Sequence, residues 1–323
     1  MKLHDIYAMT TMSGLHNGSG EGEGFIDNPI IRERHTLFPY VQSASLKGKF
    51  REVFGEKTDV HVQALFGPPP PDGDSHGGSV SFSDAALFAF PIRSLKGHFV
   101  WATTPHLLYR MAQRFRLAGK TIETLDKLLQ TFTQPVHGIL CSPEGAENLS
   151  INDRIILEEF AVHFTQSDPL FKFACVMAGI LFPGKDISYL KQAFTRQLIV
   201  VNENLFRHFI IYATEVNPNI SIGETGTTKK GSLRYTEYLP EETILYFIAT
   251  YTAAHKPKAE EMYTKFRSFE IQKGTIVDLT DKNNGAGYIK QIFQTYQQKI
   301  KILQVGGDET IGKGIVSLQR VVL

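Results

Sequence analysis

The stretch VGGDETIGKGIV, residues 305–316, places Gly306, Gly307, Gly312 and Gly314 among Asp308, Glu309, Thr310 and Lys313. Apolar, strand-like sequence flanks it, KILQV before and IVSLQRVV after. Glycine lets the backbone turn through positive φ and lets another chain or a phosphate come close. Thr310, Lys313 and the freed N–H groups would then meet an anion. The loop is not a Walker motif, because neither Ser nor Thr follows the Gly-Lys pair and the G-x-x-x-x-G-K-[ST] spacing is absent. A glycine-rich hairpin without a ligand fits the loop alone equally well.

Working outward, LHDIYAMT at 3–10 reads as a first strand, and Gly14 to Gly24 form a loop of unusual backbone freedom. In SASLKGKFREVFG, Leu46, Phe50, Val53 and Phe54 fall on one helical face, with Lys47 and Arg51 as an i, i+4 pair beside it. Ser43 or Ser45 is expected to cap that helix. Gly48 costs ~1 kcal/mol against alanine there, so close approach by another group is expected. GPPPPDGDSHGG at 67–78 reads as an excursion, and 104 to about 164 as mainly helical, with a further helix at 186–197. TEVNPNISIGETGTTKKGSLRYTEYLP reads as an extended hairpin: Ile220 and Ile222 alternate before its turn; Leu233, Tyr235 and Glu237 alternate after it. ETILYFIATYT then reads as a buried strand and GYIKQIFQTYQQKI as a helix. The order strand, helix, strand, insertion, strand, helix, strand predicts an α+β fold with a ferredoxin-like (RRM-like) βαββαβ core.

Hydrophobic content of 42% and charged content of 21% exclude a disordered chain. No apolar run reaches the ~20 residues of a membrane span. The start MKLHDIYAMTTMSG lacks the pattern of a signal peptide, and Cys141 and Cys175 have no metal-type spacing, so a reducing cytoplasm is expected. A net charge of +1 argues against a surface coated in basic residues, but not against cations gathered in one groove.

LHNGSG (15–20), GFIDNPIIRERHTLFPYV (24–41), SLKGKFR (45–51), LFGPP (65–69), SFSDAALFAFPIRSLKGHFVWATTP (81–105), RYTEYLPEET (234–243) and GGDETIGKG (306–314) run in one order along the chain. Together they resemble the RAMP superfamily of CRISPR-associated proteins, in particular the fourth, backbone subunit of type III-B (Cmr) effector complexes. Two departures occur: Gln42-Ser43-Ala44-Ser45 stands where the family often has Pro-Gly-Ser-Ser, and Thr11-Met12-Ser13-Gly14 where it has Thr-Pro ahead of the histidine. Neither removes a charged group.

The resemblance implies one RAMP domain over 1–323: a palm of about 1–103 and 242–323, a helical insertion of about 104–200 and a thumb hairpin of about 215–240. It implies a crRNA guide read through its backbone, with Ser45, Lys47, Arg51, Gly306, Gly307, Thr310 and Lys313 at its phosphates. The thumb, with Lys229, Lys230 and Arg234, would reach a neighbouring copy and interrupt the guide–target duplex. Asp27 would be the target-cleaving carboxylate, as general base or as holder of Mg2+ or another divalent cation. His16 and Glu237 are weaker catalytic candidates. Asp84 reads as structural. The implied partners are guide and target RNA, further copies in a filament, a large polymerase-cyclase-like subunit and a small helical subunit. A scaffold that binds guide without cutting, and an endonuclease that processes guide precursors, are the other readings. Processing enzymes generally lack the IDNPI loop and a long hairpin followed by EYLP.

Overall fold

In the computed structural model, residues 2–20, 22, 24–56, 58–69, 76–184, 187–224 and 226–323 are described. The excursion read at 67–78 therefore falls, at 70–75, outside the described residues. Strands β1 (Leu3–Thr11), β2 (Ala85–Arg93), β3 (Glu215–Asn219), β4 (Arg234–Tyr238), β5 (Ile244–Tyr251), β6 (Ile302–Gln304) and β7 (Ile315–Arg320) and helices α1 (Ser43–Phe54) and α2 (Gly285–Gln297) carry the argument. β6, β7, β1, β5 and β2 lie side by side in that order, each antiparallel to the next. The sheet continues through Phe99–Thr103, Leu198–Val201, Ile139–Cys141, Phe160–Gln166 and the short strands beyond, with two parallel pairings. The fold is mixed α+β.

Both faces of the central strands are covered, which explains why their sequences read as apolar runs. On β1, Tyr7 and Met9 pack to one side, Ile6 and Ala8 to the other. On β5, Leu245, Phe247 and Ala249 join the first side; Ile244, Tyr246 and Ile248 join the second. The first side holds α1 and α2 through Leu46, Phe50, Phe54, Ile289 and Phe293. Phe50 is fully buried, stacked on Phe82 at 5.0 Å and tilted against Phe293 at 5.5 Å. Burying such a side chain contributes roughly 1.5–3 kcal/mol. Val53, read as part of the same face, is 43% exposed, because it sits at that face's edge.

The second side is closed by helices Pro105–Leu117, Glu123–Leu129 and Asp168–Leu181. Two of these start where the sequence supplies a cap: the side chains of Thr104 and Ser167 accept the N–H groups of Leu107 and Leu170. The helix expected near 186–197 spans Ser188–Gln197. The insertion is not mainly helical to residue 164. Arg154–Leu157 and Phe160–Gln166 form an antiparallel pair, and Asn152 and Asp153 turn into it at φ 48° and 58°. Alternate exposure along Phe160–Gln166 is a period of two, which defines a strand.

The start of α1 also differs from expectation. Neither Ser43 nor Ser45 caps it; the Asp84 carboxylate accepts the Ser43 N–H at 2.8 Å from across the fold. A carboxylate thus occupies the N-terminus of this helix, where the helix dipole favours negative charge. Among the described residues nothing lies within 4 Å of a Cβ built on Gly48, so none of them explains that glycine.

Candidate nucleic-acid interface

Three loops and one strand are sewn together by backbone hydrogen bonds. The Leu15 and Leu239 amides and carbonyls exchange bonds at 2.9 Å, fixing the His-Gly loop to the end of β4. The Gly307 N–H donates to the His16 carbonyl at 2.8 Å, fixing the glycine loop to the His-Gly loop. Gly306 has φ +94°, and a Cβ there would run into the His16 carbonyl, so only glycine permits this approach. Asn28 accepts from Glu237 and donates to Tyr235, both at 3.0 Å, pinning the acidic loop along β4.

The hairpin predicted at 215–240 is present, with Glu215–Asn219 paired to Arg234–Tyr238 in register. Its base has partners in its own chain. Thr236, Glu237, Tyr238 and Leu239 are buried against the loops above. The far end is bare: Ile220, Ile222 and Leu233 are each more than half exposed, and Lys229, Lys230 and Arg234 are exposed there.

Asp27 is exposed, and its Oδ2 accepts the Tyr235 N–H at 2.7 Å. No partner holds Oδ1 among the described residues. His16 is half-buried, with Nδ1 2.8 Å from the Glu237 carbonyl oxygen. A carbonyl only accepts, so Nδ1 carries the proton and Nε2 of the neutral ring is left as an acceptor. A Cβ built on Gly18 would stand 2.6 Å from Nε2, so glycine keeps that nitrogen open.

Glu237 does not face outward with Tyr235, as a carboxylate offered to a target strand would. It is 2% exposed, bonded to the Arg32 guanidinium, and accepts the Ile30 N–H at 3.0 Å and the Thr214 hydroxyl at 2.8 Å. A buried carboxylate is retained only when paired in this way. Its charge is spent on anchoring the acidic loop to β4.

Two cavities meet at His16. The larger, about 580 Å3, is lined by His16, Asn28, Lys229, Lys230, Arg234, Asp308 and neighbouring hairpin residues. The smaller, about 350 Å3, is lined by His16, Gly18, Ser45, Lys49, Gly306, Gly307, Glu309 and adjoining residues. Asp27 lines neither. Ser45 donates to the Asn17 side chain at 3.1 Å. Thr310 is exposed on a short 3-10 turn, Glu309–Ile311. Lys313 lies over the Tyr238 ring at 4.7 Å, while the Tyr238 hydroxyl donates to Asp308 at 2.7 Å.

Lys47 and Arg51 line neither cavity. Arg51 donates to the Gly67 carbonyl at 2.9 Å, and its buried Nε has no partner among the described residues. Lys47 is half-buried; burial first, and the Arg51 charge second, hold its ammonium below the ordinary lysine range. Lys49, which sequence reasoning passed over, ties α1 to the glycine loop through Glu309 at 2.8 Å and to Glu52 at 3.1 Å. Burial pulls its ammonium down, but those two carboxylates outweigh burial and leave it raised. Arg32 and the bidentate Arg110–Glu33 pair were missed as well; only their long-range partners reveal them.

The chain belongs to the RAMP superfamily, whose family model matches residues 8–317. It is 30% identical over 317 residues to the CRISPR system Cmr endoribonuclease Cmr4 of Pyrococcus furiosus, covering 97% of this chain and 94% of that protein. It is 25% identical over 336 residues to the CRISPR system CMR subunit Cmr4 of Saccharolobus solfataricus, covering 97% and 95%. Its fold is similar to that of oligomeric Cmr4 from Pyrococcus furiosus, with TM-score 0.66, 24% identity and coverage of 99% and 98%. A chain of the type III-B Cmr-beta complex bound to cognate target RNA matches with TM-score 0.68, 20% identity and coverage of 98% and 97%.

Proposed function

We propose that this protein is the backbone subunit of a type III-B CRISPR effector: it binds a crRNA guide, associates with further copies of itself and cuts bound target RNA. The observation that carries the reading is the Asp27 carboxylate, held by one oxygen against the strand that begins at Arg234, with its other oxygen unpartnered among the described residues. The similarity to a Cmr endoribonuclease over nearly the whole chain supports it.

The strand order β7, β1, β5, β2, with α1 and α2 on one side, supports a ferredoxin-like palm. The bare hairpin end supports a thumb that meets a neighbouring copy. The same reading takes 1–323 as one RAMP domain and gives the other partners as a large polymerase-cyclase-like subunit and a small helical subunit. It places the complex in the cytoplasm; among the described residues no helix is long and apolar enough to cross a membrane.

RNA cleavage proceeds by in-line attack of a 2′-hydroxyl oxygen on its neighbouring phosphorus; the bond from phosphorus to the 5′-oxygen breaks as the new one forms, leaving a 2′,3′-cyclic phosphate and a 5′-hydroxyl that takes its proton from solvent. Oδ1 of Asp27 takes the hydroxyl proton, while the Tyr235 amide fixes the direction of the carboxylate. His16, with Nε2 as acceptor, is the second base within the lacework of loops. Glu237 positions both, through its carbonyl to His16 and its carboxylate to Arg32 and the Ile30 amide. Among the described residues no group of three His, Cys, Asp or Glu side chains stands ready to cage a metal. In its other role Asp27 would hold a hydrated Mg2+ or another divalent cation, which would stabilise the charge developing on the phosphate. Guide binding falls to Lys47, Arg51, Ser45 and the glycine loop, with Lys229, Lys230 and Arg234 on the target side.

The test is target cleavage by the assembled, guide-loaded complex. Cuts at regular intervals that stop with chelator, and stop where the 2′-hydroxyl at the cut is replaced by hydrogen, support the reading. Undiminished cutting of the deoxy-substituted position contradicts it.

A further inference from the structure

Phe25 is 93% exposed, the most exposed large apolar side chain among the described residues. Single exposed apolar residues are ordinary on protein surfaces; the surroundings of this one are not. It lies on a turn closed by the Gly22 N–H donating to the Asp27 carbonyl at 2.8 Å, which displays the ring away from the core. Behind it stands Tyr235, ring centroids 6.3 Å apart and planes tilted by 35°. The amide of that same Tyr235 holds the Asp27 carboxylate. An aromatic pair with one bare face therefore stands beside the proposed cleaving carboxylate.

We propose that Phe25, backed by Tyr235, is a nucleobase-binding site that seats one base of the target strand beside Asp27. This rests on the reading of Asp27 given above. Every base has a π-face, so stacking on an aromatic side chain holds single-stranded RNA without selecting its sequence. Phe25 and Asp27 are two residues apart, so their Cα atoms are at most about 7 Å apart. That is the reach of one nucleotide from its base to its own phosphate. Seating the base thus brings the scissile phosphate to Oδ1. Lys229, Lys230 and Arg234 supply charge for the backbone; the stacked ring adds a hold on the base itself.

The experiment uses the assembled complex carrying Asp27→Asn, so that the target stays uncut, with Phe25→Trp as reporter. The chain's own Trp101 is 1% exposed, with its N–H on the Glu242 carbonyl at 3.0 Å, so it stays silent to solvent quenchers. Target RNA is expected to quench the emission of the Phe25→Trp reporter, and a target with an abasic nucleotide at the cut to leave it unquenched. With Asp27 intact, Phe25→Ala is expected to slow cleavage by at least about five-fold. Phe25→Trp is expected to keep the rate and Phe25→Leu to behave as the alanine variant, while an abasic target is cut equally by parent and Phe25→Ala. Equal quenching by abasic and complete targets, quenching on assembly without target, or full activity of Phe25→Leu would each overturn the site. The fluorescence is read on uncut target, so it stands or falls separately from the role of Asp27.

Discussion

The Tyr235 amide donates to the Asp27 carboxylate at 2.7 Å across a sequence separation of 208 residues. A loop aspartate before Asn-Pro is by itself a common turn former. Here the hairpin strand reaches back and fixes its direction. Thumb and acidic loop are therefore one unit, and the end of the thumb is separable from its base. Removing residues 226–231 and joining the ends with two glycines should leave thermal stability nearly unchanged, since the flanking tip residues are exposed. Guide loading should persist, while the regular spacing of cuts is lost. A large fall in melting temperature would show that the tip carries fold energy.

Glu237 predicts a stability effect rather than a purely catalytic one. Arg32→Ala leaves a carboxylate that is 3% exposed without its cation, at a cost of about 3 kcal/mol. Adding Glu237→Gln should recover part of that loss. Chemical denaturation of the two variants and the double variant measures the coupling. Additive effects would mean that the pair is not the anchor described above.

Much of the palm was legible because its signals are local. The α1 face of Leu46, Phe50 and Phe54 and the apolar run of β5 follow from periodicity and burial on both faces. What could not be read depends on partners far along the chain. Alternation groups Glu237 with Tyr235, and only Arg32, 205 residues away, shows that its carboxylate is buried. The α1 cap is Asp84, 41 residues from Ser43, so the serines in the motif pointed to the wrong acceptor. The strand pair at 154–166 was hidden by helical sequence before it, although Asn152-Asp153 marks its turn.

Lys47 gives a pH dependence with two signs. Burial, and then Arg51, lower its folded-state value from the ordinary 10.5. Between the lowered value and 10.5 the unfolded chain binds the extra proton, so its contribution to stability rises with pH across that window. A bound phosphate favours the protonated form, so guide affinity should fall with pH across the same window. Lys47→Met should remove both slopes. It should also reduce the salt dependence of guide binding by about one unit, equally for guides of different sequence. Filter binding at several pH values and salt concentrations measures this; sequence-selective loss would contradict a phosphate contact.

Gly18 tests the open nitrogen of His16. Gly18 is not held at positive φ, so alanine is tolerated by the backbone. Its Cβ would press on Nε2, while Nδ1 remains tied to the Glu237 carbonyl. Gly18→Ala should therefore slow target cleavage to about the level of His16→Ala with little change in melting temperature. Cleavage at the parental rate in Gly18→Ala would remove His16 from the reaction.

The most direct measurement is target cleavage by the complex assembled with Asp27→Asn. The amide keeps an oxygen for the Tyr235 N–H but loses the proton-accepting, cation-holding carboxylate. The expected result is guide and target binding near the parental level with cleavage abolished, because the charge acts in the transition state and not in binding. Cleavage at the parental rate would contradict the enzymatic reading and leave the protein as a guide-RNA scaffold.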